Sequence, residues 1–198
     1  HEIRNPIGSV SLLASTLLKK VDPSVKPLVS EIKKAIWRVE RIIKATLLFT
    51  KSLQINPTSF YLDRFIKECE KAIEHYSYSK EVTFHFDLPH IEIKGDFELL
   101  NLVLQNFIFN AIDAIEESEQ ERGKVWIEYV FDEAHVCLHV KDDGKPIENK
   151  NILFEPFKTT KTKGNGLGLA LSLQIIQAHN GKIELLEETK GFAIKLGC

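Results

Sequence analysis

The 198-residue chain contains no methionine, only three cysteines, and no surplus of charge of either sign. Cys69, Cys137 and Cys198 are odd in number and lack the close spacing of a metal site. They read as unbridged thiols of a reducing, cytoplasmic compartment. A net charge of -2 leaves no basic footprint for nucleic acid. No apolar run approaches the roughly 18 to 20 residues of a membrane span, and no signal peptide is evident, so no membrane contact by this stretch is expected. A chain that starts at His1 without methionine is expected to be an N-terminally truncated piece of a longer one. What is present suffices for a core, since 43% of the residues are hydrophobic, in one or two domains.

Glycine and proline are also sparse, 10 and 7 in all, yet six of them fall between Asp142 and Leu171, in DDGKPIENKNILFEPFKTTKTKGNGLGLAL. Gly164, Gly166 and Gly168 alternate just before an apolar run from Leu167 to Ile176 that reads as helix. Glycines leading into a helix start combine bare backbone N–H groups with the positive end of the helix dipole, an arrangement suited to phosphate. The Walker pattern is excluded because Gly123-Lys124, Gly144-Lys145 and Gly181-Lys182 are followed by Val, Pro and Ile. The dinucleotide pattern fails because its third glycine position is Leu169 or Leu171.

In the first fifty-six residues the apolar positions Ile3, Ile7, Val10, Ala14, Leu17 and Val21 alternate steps of four and three. The rhythm breaks at Asp22-Pro23 and resumes from Leu28 to Leu53, which predicts a helical hairpin. Leu13, Leu18, Ile36, Ile43 and Leu47 widen the stripes beyond a two-helix seam. Either a second copy covers the excess, making a four-helix bundle, or the hairpin packs on the rest of its own chain. His1 points away from the seam and shares a face with Asn5. An outward imidazole beside Glu2, largely neutral at cytosolic pH, is a candidate nucleophile, although a terminal histidine in solvent often does nothing. Pro6 is expected to kink the helix and leave the Glu2 carbonyl without its partner. Asn56-Pro57 ends the second helix, and the domain boundary is placed there, giving domains 1–56 and 57–198.

In the second domain a short strand at 60–62 leads into a helix whose apolar face runs from Leu62 to Tyr76. Val82, Phe84, Phe86 and Leu88 alternate as a half-buried strand, and Ile91 and Ile93 repeat the pattern. A largely apolar helix over about 96–117 carries Asn106, Asn110 and Asp113 as one polar stripe. Amides on a buried helix cost about 1 to 3 kcal/mol each unless a ligand, a metal or a neighbouring loop satisfies them. Two strands, at 125–131 and 136–142, end at Asp142, whose carboxylate either accepts from an adenine amino group or simply starts the turn. After a lid over about 144–165 come a helix ending at Asn180-Gly181 and two closing strands. Mixed strands with three helices on one face make an α/β two-layer sandwich.

Taken in order, HEIRNP, NFIFNAIDA, DDG, LFEPFKTTK and GNGLGLAL resemble the five boxes of the histidine kinase family across essentially the whole chain. The family belongs to the superfamily of gyrase and heat-shock ATPases, and LFEPFKTTK is most similar to its nitrogen-regulation type. The resemblance implies a homodimer whose His1 receives the γ-phosphoryl of ATP, with Glu2 bonding the other ring nitrogen. Asn5 would position water or the nucleotide phosphate and support phosphatase activity. Asn110 would bind Mg2+, Asn106 would lie against the phosphates, and Asp142 would read adenine. Gly144 would turn the chain at the lid, and backbone at Gly164, Gly166, Leu167 and Gly168 would cradle phosphate while Lys161 steadies it. The implied partner is a response regulator receiver domain. Two positions depart from the pattern: Pro146 replaces the second glycine of the DDG box, and Asp113 stands where a basic or amide residue is common. Pro146 favours one alternative, a phosphotransfer or binding module with a degenerate nucleotide site, and a second alternative is a non-kinase ATPase of the same superfamily.

Overall fold

The two apolar seams form the hairpin helices α1 (Arg4–Lys20) and α2 (Lys26–Phe49). This computed structural model describes residues 4–50, 53–74, 80–132, 135–159 and 166–197, without the side chains of 4, 5, 72, 74, 132 and 135. Between the helices Asp22 accepts from the backbone N–H and hydroxyl of Ser24 at 2.9 and 2.7 Å, and Pro27 falls in the first turn of α2, where its missing N–H costs no helical bond. Pro6 lies in the first described turn of α1, and the Glu2 carbonyl it was expected to leave without a partner is outside the described residues. Of the two fates weighed for the excess apolar surface, packing on the same chain accounts for part of it. One face of α2 packs on its own chain through Trp37, Ala45 and Leu48, whereas Leu12 and Leu13 of α1 stay about 70% and 68% exposed.

The period-two alternation produces the strands that follow. β1 (Thr58–Tyr61) pairs antiparallel with β3 (Glu92–Gly95), flanking α3 (Leu62–Glu74) and β2 (Glu81–Asp87) in the chain. Leu62, expected both to close the strand and to open the helix face, begins α3 and is fully buried, and Tyr76 lies outside the described residues. The main sheet has the order β2-β4-β5-β7-β6, built with β4 (Arg122–Asp132), β5 (His135–Asp142), β6 (Lys182–Leu185) and β7 (Gly191–Gly197). β2 runs parallel to β4, and the other pairs are antiparallel.

α3, α4 (Phe97–Glu116) and α5 (Gly168–Ala178) cover one face of this sheet, so the expected two-layer sandwich is present. Phe107, Ile112 and Ile115 of α4 are buried in one core with Val125, Ile127 and Val140 of the sheet. Each such side chain stabilises the fold by about 1.5 to 3 kcal/mol. Asp96 caps α4 by accepting from Leu99 N at 3.1 Å, and its other carboxylate oxygen accepts from Asn56 N at 2.9 Å. The end of the hairpin segment is thereby tied to the start of the helix that carries the polar stripe. At the far end of α5, Asn180 takes the left-handed backbone expected of a helix stop, with φ 54°. Cys69 is buried against Asn101, and burial pushes its thiol well above the ordinary range, which keeps it neutral.

Candidate functional site

β5 ends where its alternation would next direct a side chain inward, and that residue is Asp142. Its side chain is 9% exposed and accepts from Gly144 N at 3.0 Å and from the Lys190 ammonium. Burial pushes the Asp142 carboxyl above its ordinary value, while Lys190 and the Gly144 N–H pull it back. Lys190 was not anticipated from the sequence. The antiparallel register that sets Lys141 opposite Gly191 places Lys190 opposite Asp142, so strand pairing was the signal that would have found it. Gly144 is required sterically, since a Cβ there would stand 2.5 Å from backbone atoms of Ala114 and Ile115. Lys145 N donates to Ala114 O at 2.9 Å, fixing the chain against α4 just before Pro146.

The stripe Asn106, Asn110 and Asp113 lines the same cleft as Asp142, Gly166 and Gly168. The cleft encloses about 220 Å³. That is room for more than a few ordered waters at about 30 Å³ each, so it is not a packing defect. Asn106 is buried and needs no ligand for its amide: its Nδ2 donates to Gly168 O at 3.2 Å and to Ser172 Oγ at 3.1 Å. Its Oδ1 accepts from Arg41 Nη2 of α2 at 2.6 Å. Arg38 and Arg41 therefore belong to the wall of the cleft, a placement that local sequence pattern does not encode.

The lid is less of a loop than its composition suggests. A short 3-10 turn, Lys150–Ile152, forms within it, and Ile147, Leu153 and Phe154 pack on the core. The two phenylalanines of LFEPF diverge: Phe154 meets Phe192 of β7 edge-on at 6.3 Å, while Phe157 meets Phe49 of α2 at the same separation. Phe157 takes φ 62° and donates its N–H to Gly166 O at 3.1 Å, so the later part of the lid is pinned to the residue that follows it. Gly166 has φ 68°, and Leu167, buried in the core, leads into α5 without a side-chain cap. Gly168 and Leu169, the first residues of α5, line the cleft, so the positive end of that helix lies at its wall.

Of the expected site residues, Asn106, Asn110, Asp142, Gly166 and Gly168 line one cleft, and Gly144 and Leu167 sit at its margins. Asn5 lies on α1 with its side chain undescribed, and His1, Glu2, Lys161 and Gly164 lie outside the described residues. Among the described residues no group of three or more His, Cys, Asp or Glu side chains forms a metal cluster, and no helix is long and apolar enough to cross a membrane.

Two family models match the chain. Residues 95–197 match the histidine kinase-, DNA gyrase B- and HSP90-like ATPase model, and residues 1–54 match the His kinase A phosphoacceptor domain. The chain is 54% identical over 198 residues to the sensor histidine kinase FlgS of Helicobacter pylori, covering 99% of this chain and 52% of that protein. It is 30% identical to the signal transduction histidine-protein kinase AtoS of Escherichia coli, covering 93% of this chain and 31% of that protein. The chain thus spans between a third and a half of the length of these relatives. Among solved structures, histidine kinase ThkA in complex with the response regulator protein TrrA superimposes with a TM-score of 0.67 at 30% identity, covering 100% of this chain and 59% of that one.

Proposed function

The chain belongs to the histidine kinase family, and from that premise we propose that it is the core of a dimeric sensor kinase that phosphorylates itself on His1 with ATP and passes the group to an aspartate of a response regulator. The observation that carries this reading is the convergence of Asp142 from β5, Asn106 and Asn110 from α4, and the glycine-led start of α5 on one cleft. In this reading Asp142 accepts from the adenine amino group, and the backbone around Gly166 and Gly168 donates to phosphate oxygens. Lys161 and Gly164, outside the described residues, would contribute to that cradle, and Asn110 would hold Mg2+. Bound ATP with Mg2+ supplies the phosphoryl donor and neutralises its charge.

The imidazole of His1 would attack the γ-phosphorus and displace ADP, Glu2 would hold the other ring nitrogen and take its proton, and Asn5 would position water for a separate phosphatase reaction that hydrolyses a phosphoryl group to phosphate. Residues 1–56 serve as the dimerisation and phosphotransfer domain and 57–198 as the nucleotide domain. The exposed Leu12, Leu13, Leu28 and Leu47 form the face a second copy covers. The LFEPFKTTK segment supports the nitrogen-regulation type, and the unbridged thiols of Cys69 and Cys137 support a cytoplasmic setting. Incubation of a longer chain with γ-labelled ATP and magnesium tests the proposal: an acid-labile protein-bound label should form and vanish in His1→Gln, and a label that survives that substitution rejects it.

A second reading, a binding module with a weakened site, draws support from two observations. Asp142 is already engaged by Lys190, and Pro146 removes a backbone donor at the lid hinge. Titration with a fluorescent ATP analogue separates the two, because the module shows no magnesium-dependent binding.

A further inference from the structure

Helical spacing places Arg38, Arg41, Ile42 and Ala45 on one face of α2, and that face forms a wall of the cleft opposite α4 and the lid. Lys34, two turns earlier on the same helix and buried, reaches Glu116 of α4 at 3.4 Å and so docks the helix beside the cleft. The Arg41 guanidinium packs against two aromatic rings and donates to an amide oxygen. Its central carbon lies 4.7 Å from the Trp37 ring centre and 5.0 Å from that of Phe109, while Nη2 donates to Asn106 Oδ1 at 2.6 Å. Trp37 and Phe109 in turn meet edge-on at 4.2 Å.

A guanidinium can contact aromatic rings and still donate through its in-plane N–H groups. Asn106 joins Arg41 on one side to Gly168 O at the start of α5 on the other, so the guanidinium is linked through one amide to the glycine-led helix start. Asp113 lines the same cleft and repels anions, and two arginines from α2 supply the opposite charge there.

The geometry points to Arg41 as a nucleotide-binding residue contributed by the helical hairpin, its guanidinium donating to the phosphates of the bound nucleotide. This rests on the proposal that the cleft takes ATP. The hairpin then completes the triphosphate end of the site and does not merely present a histidine to it. Nucleotide binding and docking of α2 against α4 favour one another in consequence.

The test uses the full chain and measures affinity for ATP, ADP and adenosine by calorimetry, in the unsubstituted protein and in Arg41→Ala and Arg41→Lys. Loss of a charge-assisted bond to phosphate is expected to weaken ATP by roughly tenfold or more in Arg41→Ala. Adenosine should stay within about twofold, and Arg41→Lys should recover part of the ATP affinity. Three results overturn the inference: unchanged ATP affinity in Arg41→Ala, tighter ATP binding, which would make the guanidinium a stopper that competes with phosphate, or an equal loss for adenosine, which would reduce Arg41 to packing. If the unsubstituted chain binds neither ATP nor adenosine, the reading of the cleft itself fails, and the role of Arg41 falls with it.

Discussion

Gly166→Ala isolates the contribution of the lid from that of the core. Gly166 has φ 68°, and a Cβ there would stand 2.5 Å from Lys158 N and 2.6 Å from both Lys158 O and Phe157 C. A left-handed backbone costs an alanine about 1 to 2 kcal/mol. The three crowded atoms are all backbone, so no side chain can swing aside. Relief requires moving the lid end and surrendering the bond from Phe157 N to Gly166 O, which contributes about 0.5 to 1.5 kcal/mol. The total is about 1.5 to 3.5 kcal/mol, and it falls on the arrangement that forms the phosphate cradle. Displacement of a fluorescent ATP analogue should therefore show affinity weakened roughly 10- to 300-fold. Thermal unfolding without nucleotide should move much less than in Ile112→Ala, where a core cavity costs about 2 to 5 kcal/mol. Unchanged affinity, or a loss of thermal stability matching Ile112→Ala, would refute the reasoning.

Asn106→Ala removes the donors to Gly168 O and Ser172 Oγ, and the fold should lose about 1 to 3 kcal/mol in urea unfolding, with the junction of α4 and α5 the first region to exchange amide hydrogens. Lys190→Met removes the cation that opposes the effect of burial on Asp142, so the carboxyl rises further above its ordinary value. A raised carboxyl binds its proton more tightly folded than unfolded, so the stability deficit of this variant should be greatest at high pH and shrink as pH falls through the folded pKa of Asp142. Binding of the ATP analogue should weaken with acidification from a higher pH than in the unsubstituted chain, and identical pH profiles would contradict the assignment. Paired Leu12→Glu and Leu13→Glu substitutions should convert a dimer to a monomer in light scattering while leaving thermal unfolding of the nucleotide domain in place.

Features encoded locally were legible in the sequence. The alternation of Val82, Phe84 and Phe86 located β2, the apolar run after Gly168 located α5, and Asn180 supplied the left-handed stop. The stripe Asn106, Asn110 and Asp113 does face a cleft shared with Asp142, because residues at those spacings share a helix face whatever the surrounding fold. The amide reasoning for Asn106 left a ligand, a metal and a neighbouring segment open, and could not name its partners because Arg41 and Gly168 lie 65 and 62 residues away in the chain. Lys34 with Glu116 and Lys190 with Asp142 escaped for the same reason, 82 and 48 residues apart. Such pairs depend on how α2 and β7 are docked, and local periodicity says nothing about docking. The lid misled through its polar composition, since a few apolar residues, Ile147, Leu153 and Phe154, suffice to anchor it to the core.

A crystal structure of this chain with magnesium and a non-hydrolysable ATP analogue tests the central claim most directly. The account predicts the adenine amino group on Asp142, the metal on Asn110, and the phosphates among Asn106, the Gly166–Gly168 backbone and Arg41. Nucleotide bound elsewhere, or a cleft still closed by the Lys190–Asp142 and Arg41–Asn106 contacts at saturating analogue, would contradict it.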